Sequence, residues 1–410
     1  MAKTIVILGT LDTKGEHLRL LKNLIQKRGH EALILDLSMG AVPVVPADIP
    51  ASEIARIAGH SIEQLMAGDR SVSTGVMING AQHKVADLLS EGRLQGIVAM
   101  GGASMALMGR RIMAKLPFGI PKVIATPAAM PTYISEWFGE MDVVVMQTIM
   151  EYAGMHNLIT AAISQVAGAV AGMVEEAPDH KSLKLPYPSV AVTQLGFNEK
   201  CAVKVKELLE EKGFNVYPIH ANGISDRSME RLIDQGFFDG LIDIVPAGLI
   251  EELFQGNRAA GMDRLGAPIE RGMPLVLAPC TLNATGAGPT RRMKERFIDR
   301  QPRLQIDSIR FMTRLTPDEM RQGARLYAEK LNKAKSRVKF LVPLRGWSSI
   351  DRPGMALYNP EEDRAFFDEL RTNLKPAAPV DFVELDCNLE DPAFAGALVD
   401  AFLEVFERKQ

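Results

Sequence analysis

The chain has 410 residues, of which 47% are hydrophobic and 24% charged, and its formal net charge is −3 at pH 7. At roughly 150 residues per domain this length predicts two domains, and the near-neutral charge gives no reason to expect nucleic acid or an anionic membrane as a partner. Three widely spaced cysteines form no C-x-x-C motif and predict neither a disulfide framework nor a zinc site. No apolar run is as long as the roughly 18 residues that a membrane span needs, so we expect a cytoplasmic protein.

The first predicted strand covers residues 4–8 and runs directly into Gly9. Thr10, Asp12 and Thr13 follow in the turn, and a helix is predicted to begin near Lys14. In a parallel α/β sheet such a strand-to-helix turn lies at the ligand-binding edge, where free N–H groups attract anions. The turn is therefore a candidate phosphate site, although a helix cap at Asp12 or Thr13 explains the same residues equally well.

A second turn of the same kind follows the predicted strand at residues 96–100. It consists of Gly101, Gly102, Ala103 and Ser104, and a helix is predicted to begin near Ser104. Two such turns in one sheet can hold one phosphate chain from both sides, so the pair is more informative than either turn alone.

The next landmark is residues 157–174, which are rich in Ala, Gly and Ser at helical spacing. Such small residues let another helix approach closely, and we interpret the segment as an interdomain or dimer helix. A polar, proline-rich linker is predicted at 175–188, which gives an N-terminal domain at 1–178 and a C-terminal domain at 185–410.

Strands and helices alternate in both halves of the chain. This alternation predicts an α/β fold with two Rossmann-like, doubly wound parallel-sheet domains and an interdomain cleft.

Three strand ends in the second half carry candidate catalytic groups. His220 is placed for acid–base work, and Cys280 is a candidate nucleophile if His220 lies nearby. Arg291, after a glycine-rich segment, and Arg345 are candidate clamps for a carboxylate or phosphate. A structural histidine, an inert packing cysteine and ordinary turn chemistry are the alternatives.

The landmarks G-T-L-D-T-K at residues 9–14, H-A-N-G at 220–223 and L-V-P-L-R-G-W-S at 341–348 stand in order along the chain. With them the chain resembles the two-domain ATP-binding family typified by the tomato mosaic virus resistance protein, whose bacterial members are largely uncharacterised. The resemblance implies two Rossmann-like domains, ATP or a related nucleotide in the first, possible Mg²⁺, and a homodimer. It also implies that the two glycine turns line the phosphate site.

Two loops depart from that family's usual pattern. The second turn reads G-G-A-S-M-A, with Met105 where the family usually has glycine, and the loop at 281–288 also differs. These departures suggest an altered ligand.

Three functions remain open at this point. The first is a nucleotide-binding protein with its ligand held between the domains. The second is a hydrolase or C–C lyase of small carboxylated or phosphorylated metabolites that uses His220. The third is an interaction protein whose nucleotide only shapes a partner-binding surface.

Overall fold

The structure is a computed structural model that describes residues 2–40, 42–43, 45–130, 139–287 and 295–407. The chain divides into two compact units, Met1–Leu183 and Lys184–Gln410. The division falls inside the segment that the sequence predicts as a linker.

Within its described residues, unit 1 contains a five-stranded parallel sheet in the order β2-β1-β3-β4-β5. Its strands are β1 (Thr4–Gly9), β2 (Glu31–Asp36), β3 (Gly96–Met100), β4 (Lys122–Thr126) and β5 (Val144–Gln147). Its helices are α1 (Leu11–Lys27), α2 (Ala51–Ile57), α3 (Ile62–Ala67), α4 (Arg70–Ser90), α5 (Ala103–Met113) and α6 (Asn157–Glu176).

The first strand shows why this sheet forms. Ile5 and Ile7 point into the core on one face of the sheet, and Val6 and Leu8 point into the core on the other. Both faces are thus covered by helices, as the continuous apolar run of β1 predicts.

The helix α6 buries one apolar face inside unit 1, and its predicted interdomain or dimer role stays a prediction. By length and composition alone it could cross a membrane, but its buried residues, among them Ile163, Val166 and Val170, belong to the core of unit 1. It packs against α1 and against β3 and β4. Its apolar stripe is therefore used inside unit 1, which is why the length criterion alone is weak evidence for a membrane span.

The main sheet of unit 2 has six parallel strands among the described residues, in the order β14-β13-β9-β8-β6-β7. These are β6 (Ser189–Gln194), β7 (Asn215–His220), β8 (Gly240–Asp243), β9 (Leu275–Leu277), β13 (Val338–Pro343) and β14 (Val380–Leu385). The helices are α7 (Glu199–Glu210), α8 (Ile224–Asp234), α9 (Gly248–Phe254), α10 (Gly266–Glu270), α11 (Pro317–Leu331), α12 (Pro360–Asn373) and α13 (Pro392–Glu407). The two doubly wound parallel sheets confirm the predicted fold class.

Unit 2 also contains a small antiparallel sheet that the sequence analysis missed. It has the order β10-β12-β11, with β10 (Ala284–Ala287), β11 (Arg303–Gln305) and β12 (Phe311–Arg314). The strands have only three or four residues each, too few for an alternating pattern to be recognised in the sequence.

Candidate functional site

The two predicted glycine turns lie side by side in unit 1. β1 pairs with β3, so the turn after each strand emerges at the same edge of the sheet. The strand order 2-1-3-4-5 places the topological switch point between these two strands, where open α/β sheets bind ligands.

The first turn has its helix N-terminus capped by residues from the neighbouring strand end. The N–H of Leu11 donates to Asp36 Oδ1 at 3.0 Å, and the N–H of Asp12 donates to Ser38 Oγ at 3.1 Å. Neither Asp12 nor Thr13 caps the helix; the hydroxyl of Thr13 lies 3.1 Å from that of Thr10. This cap could not be predicted from local sequence because Asp36 lies 25 residues from Leu11 along the chain.

Lys14 is also engaged by the protein itself. Its backbone is non-helical, with φ −126° and ψ 16°, so that α1 is kinked there. Its ammonium donates to the carbonyl oxygen of Tyr152 at 2.8 Å. In the structure as described, Lys14 therefore holds the segment that follows β5.

The second turn keeps its helix N-terminus uncapped. None of the described residues accepts a hydrogen bond from the amide N–H of Ala103, Ser104 or Met105. Gly102 precedes the helix with φ −69° and ψ −173°, an extended conformation open to any residue. These N–H groups and the positive end of the α5 dipole are the kind of arrangement that attracts an anion.

Met105 is mostly buried beside this turn, although it still lines the cavity in front of it. The side chain is 4% exposed, and a Cβ on Gly101 would lie 2.7 Å from the Met105 Cβ. Met105 thus packs back against Gly101. Gly101 is needed for that packing, whereas Gly102 faces open space.

Both turns line one cavity of about 1000 Å³, which we call the β1/β3 pocket. Its size suits a nucleotide-sized ligand. Its polar and charged lining residues are Thr10, Asp12, Thr13, Lys14, Arg70, Ser71, Thr74, Ser104 and Arg111. Its apolar wall includes Leu37, Met39, Ile78, Leu107 and Met108. Gly102 and Ala103 line it as well, whereas the predicted site residues Gly9 and Gly101 are buried behind it.

Asp12 carries the one acidic side chain among the described residues of this lining. Its Oδ1 is buried and has no hydrogen-bond partner among the described residues. A carboxylate beside an anion-binding position repels a phosphate unless a cation lies between them. Among the described residues there is no group of three or more His, Cys, Asp or Glu side chains suited to a metal, but Mg²⁺ binds through one or two carboxylates together with substrate phosphates. The residues present therefore fit that ion.

The structure does not bring the candidate catalytic residues of unit 2 together. His220 is exposed at the end of the edge strand β7, and Cys280 is fully buried just beyond β9. With β6 and β8 between those strands, three spacings of about 4.8 Å separate β7 from β9. Burial raises the pKa of the Cys280 thiol far above its usual range. The condition for a cysteine nucleophile, a nearby histidine, is not met.

Of the two arginine candidates, the structure describes Arg345 and not Arg291. Arg345 is exposed and forms a bidentate ion pair with Asp386, at 2.7 and 2.6 Å. Arg291 lies outside the described residues.

A buried ion cluster that was not predicted from the sequence lies at the switch point of unit 2, between β6 and β8. Arg264 has a side chain with no exposure and donates to Asp243 at 2.6 Å and to Asp226 and Glu230 at 3.0 Å each. Thr193 donates to the other oxygen of Asp243 at 2.8 Å. Burial raises the pKa of Asp243 and of Glu230, and the charge of Arg264 opposes that rise. This edge of unit 2 is thus filled by its own side chains.

Together, the fold and the pocket define a two-unit α/β protein with Rossmann-like sheets and a cavity at the first switch point. The models of the Uncharacterised protein family (UPF0261) match it over residues 3–179 for the N-terminal domain and 187–406 for the C-terminal domain. The chain belongs to the UPF0261 family.

Individual relatives agree with this assignment. A UPF0261 protein of Clostridium tetani is 33% identical over 411 residues, covering all of both chains. The ToMV resistance protein Tm-1(GCR237) of Solanum lycopersicum is 30% identical over 340 residues, which are 82% of this chain and 45% of the tomato protein. The chain thus spans less than half of that relative. The predicted resemblance to the tomato protein's family is confirmed as family membership, whereas ATP binding by this family stays a prediction.

Among solved structures, the UDP-GlcNAc 2-epimerase of Methanocaldococcus jannaschii in complex with UDP-GlcNAc and UDP is 12% identical, with a TM-score of 0.24. The match covers 98% of this chain and 92% of the epimerase. A TM-score this low carries no argument about fold or function.

Proposed function

We propose that unit 1 binds ATP or a related nucleotide phosphate in the β1/β3 pocket, together with Mg²⁺. The observation that carries this proposal is the uncapped N-terminus of α5, whose N–H groups at Ala103–Met105 open onto the switch-point pocket. At the equivalent place on α1, the chain caps its own helix. The phosphate position is therefore assigned to the second turn, and the first turn forms the opposite wall.

The remaining lining supports a nucleotide over a small inorganic anion. Lys14, Arg70 and Arg111 supply positive charge, and Arg offers a bidentate fork to a phosphate. The apolar wall gives a base a surface to pack against. Asp12, through its unpartnered oxygen, would hold Mg²⁺ bound with the phosphates, and the ion would neutralise charge between carboxylate and phosphate.

The test is a thermal-shift titration with ATP, ADP, AMP and tripolyphosphate, each with and without Mg²⁺. A ligand at 100 times its dissociation constant adds about 2.7 kcal/mol of stability to the folded state. We expect a raised midpoint with ATP that is larger with Mg²⁺ and that Asp12→Asn makes independent of Mg²⁺. No shift with any of the four compounds would refute the proposal.

A matched pair of variants locates the site. Arg111→Gln removes a pocket arginine and should weaken ATP binding about tenfold or more, given about 1.5–3 kcal/mol for a hydrogen bond to a charged group. Lys115→Gln, four residues further on and outside the pocket lining, removes the same charge and should leave binding unchanged. Equal effects of the two substitutions would indicate a nonspecific charge effect.

No observation favours the alternative enzyme that uses His220, since His220 is exposed on an edge strand and separated from Cys280. The homodimer stays a prediction, and light scattering on the full chain tests it.

A further inference from the structure

Unit 2 contains a pair of buried carboxyl groups that no step above uses. Asp351 lies in the segment after β13, which we call the Trp347 loop (residues 344–359), and Asp363 lies in the first turn of α12. They are 1% and 4% exposed. The pair therefore joins the loop to the helix inside the core.

One amide group bridges the two carboxyl groups. The Asn283 Nδ2 donates to Asp351 Oδ2 at 2.7 Å and to Asp363 Oδ1 at 2.9 Å. An amide NH₂ has two hydrogens, so this arrangement uses both. Asn283 is itself 2% exposed, just beyond β9. Three separate segments thus meet at one nitrogen.

Each carboxyl group has one satisfied oxygen and one that is not. Asp351 Oδ2 also accepts from the N–H of Trp347 at 2.8 Å, and Asp363 Oδ1 also accepts from the guanidinium of Arg314. Asp351 Oδ1 and Asp363 Oδ2 are buried and have no partner with hydrogen-bond geometry among the described residues. Both orphaned atoms are acceptors, so what is missing is a donor.

The charged groups around the pair supply too little positive charge for two ionised carboxylates. Among the residues that the structure describes, Arg314, 5% exposed, is the cation in hydrogen-bond contact with the pair, and it also binds Glu362 at 2.8 Å. The buried thiol of Cys280 stays neutral because burial raises its pKa. Two ionised carboxylates would thus leave excess negative charge in the interior, which is unfavourable unless a group takes up a proton.

We propose that Asp351 and Asp363 hold one proton between them and that this proton fastens the Trp347 loop to α12. The protonated carboxyl supplies an O–H that donates to the free oxygen of the other, so one proton satisfies both orphaned atoms. A metal ion fits less well: only two free oxygens are offered next to a guanidinium, whereas Ca²⁺ takes six to eight oxygen ligands.

The titration of the pair has a definite direction. Burial raises the pKa of Asp363, the charge of Asp351 raises it further, and Arg314 and Asn283 oppose the rise, with a result of about 7. Burial likewise raises the pKa of Asp351, and the hydrogen bonds from the Trp347 N–H and Asn283 and the charge of Arg314 oppose the rise. The N–H of Asn359 also opposes it from nearby, without hydrogen-bond geometry to the carboxyl group. Because the folded-state pKa lies above the unfolded value of 3.8, the proton's contribution to stability is complete below that value. It is lost as pH rises through about 7.

The packing of the Trp347 loop against α12 links the protonation of the pair to the position of Trp347. Trp347, 2% exposed, packs edge-on against Phe366 and Phe367 of α12 at ring distances of 6.2 and 5.4 Å. The backbone N–H of Trp347 donates to Asp351 Oδ2. When the proton leaves, the two like charges push Asp351 and Asp363 apart, and with them the loop and the helix. The fluorescence of Trp347 is therefore a direct reporter.

The test compares the full chain with Asp351→Asn, both carrying Trp137→Phe so that Trp347 is the single tryptophan. The Asn oxygen can accept from Trp347 and Asn283, and its NH₂ can donate to Asp363, so the variant imitates the protonated pair at every pH. Urea unfolding is followed by Trp347 emission between pH 5 and 8. Up to pH 7, we expect the unfolding equilibrium constant of the parent to rise by up to tenfold per pH unit relative to the variant.

The control is Asp307→Asn, which removes an exposed carboxylate whose pKa is lowered to about 2 by the N–H groups of Ile309 and Arg310. It should leave the pH slope of the parent unchanged. As a second measurement on the unmutated chain, infrared spectroscopy should show a protonated carboxyl band near pH 6 that disappears above pH 8. The absence of this band would overturn the proposal even if Asp351→Asn does not fold.

Identical pH slopes for the parent and Asp351→Asn, or no protonated carboxyl band near pH 6, would overturn the proposal. A rise in stability on adding Na⁺, K⁺, Mg²⁺ or Ca²⁺ that Asp351→Asn abolishes would also overturn it and assign a cation to the pair.

Discussion

Replacing Gly102 by Asp should separate the stability of unit 1 from its ligand binding. Gly102 precedes α5 with an extended backbone, and a Cβ built there meets no atom within 4 Å. Asp is a strong N-cap residue, and its carboxylate accepts from the N–H groups of the second and third helical residues, which here are Ser104 and Met105. The variant would thus place the protein's own anion where we propose that the phosphate binds.

The two expected effects have opposite signs. Capping in place of glycine, with a favourable charge at the positive end of the helix, should stabilise the free protein by about 0.3–1 kcal/mol. For a unit of this size, that is a rise in melting temperature of roughly 1–4 °C. A phosphate about 4 Å from the new carboxylate meets a repulsion of up to about 4 kcal/mol at an effective dielectric constant of 20. Binding of ATP should then fall by two orders of magnitude or more.

The assay is calorimetric titration with Mg²⁺-ATP alongside thermal unfolding of the free protein. Gly102→Ala is the matched control, because it adds the same Cβ without a carboxylate and should keep affinity within a few-fold. Wild-type affinity in Gly102→Asp would refute the assignment of the phosphate position to α5. A drop in affinity accompanied by a destabilised free protein would refute the geometric reasoning.

The remaining predictions concern glycines on α4 and the buried ion cluster of unit 2. Gly80→Ala should destabilise the protein by about 1–3 kcal/mol, because the new Cβ would lie 2.2 Å from the carbonyl oxygen of Ile54 on α2. Gly75→Ala, on the same helix in open space, should stabilise it by about 0.5–1 kcal/mol. Denaturant unfolding measures both, and equal signs would contradict the close helix crossing. Arg264→Leu should cost about 3–5 kcal/mol, since it strands buried carboxylates. Circular dichroism melts measure this cost, and an unchanged melting temperature in Arg264→Leu would contradict the prediction.

The sequence could predict those features that depend on neighbouring residues. The run from Ile5 to Leu8 is apolar at every position, so it indicates a strand covered on both faces. Glycine at the ends of β1 and β3 indicates turns at the ligand edge, and the structure indeed places those turns side by side.

What the sequence could not show are contacts between residues far apart in the chain. Asp36 caps α1 across 25 positions, and Asn283 meets Asp363 across 80. No local pattern encodes such pairs. The assignment of the phosphate to the second turn rather than the first rests on that cap, and therefore needed the structure.

The ion cluster around Arg264 has a consequence for the dynamics of the whole chain. Asp226, Glu230 and Asp243 all bind the guanidinium of Arg264. These ion pairs fix α8 to β8 at the edge of the sheet where an α/β domain ordinarily binds its ligand. Amide hydrogens at the ends of β6 and β8 should exchange slowly whether or not nucleotide is present. The amide hydrogens at the start of α5 have no acceptor among the described residues. They should exchange fast in the free protein and more slowly when nucleotide is bound.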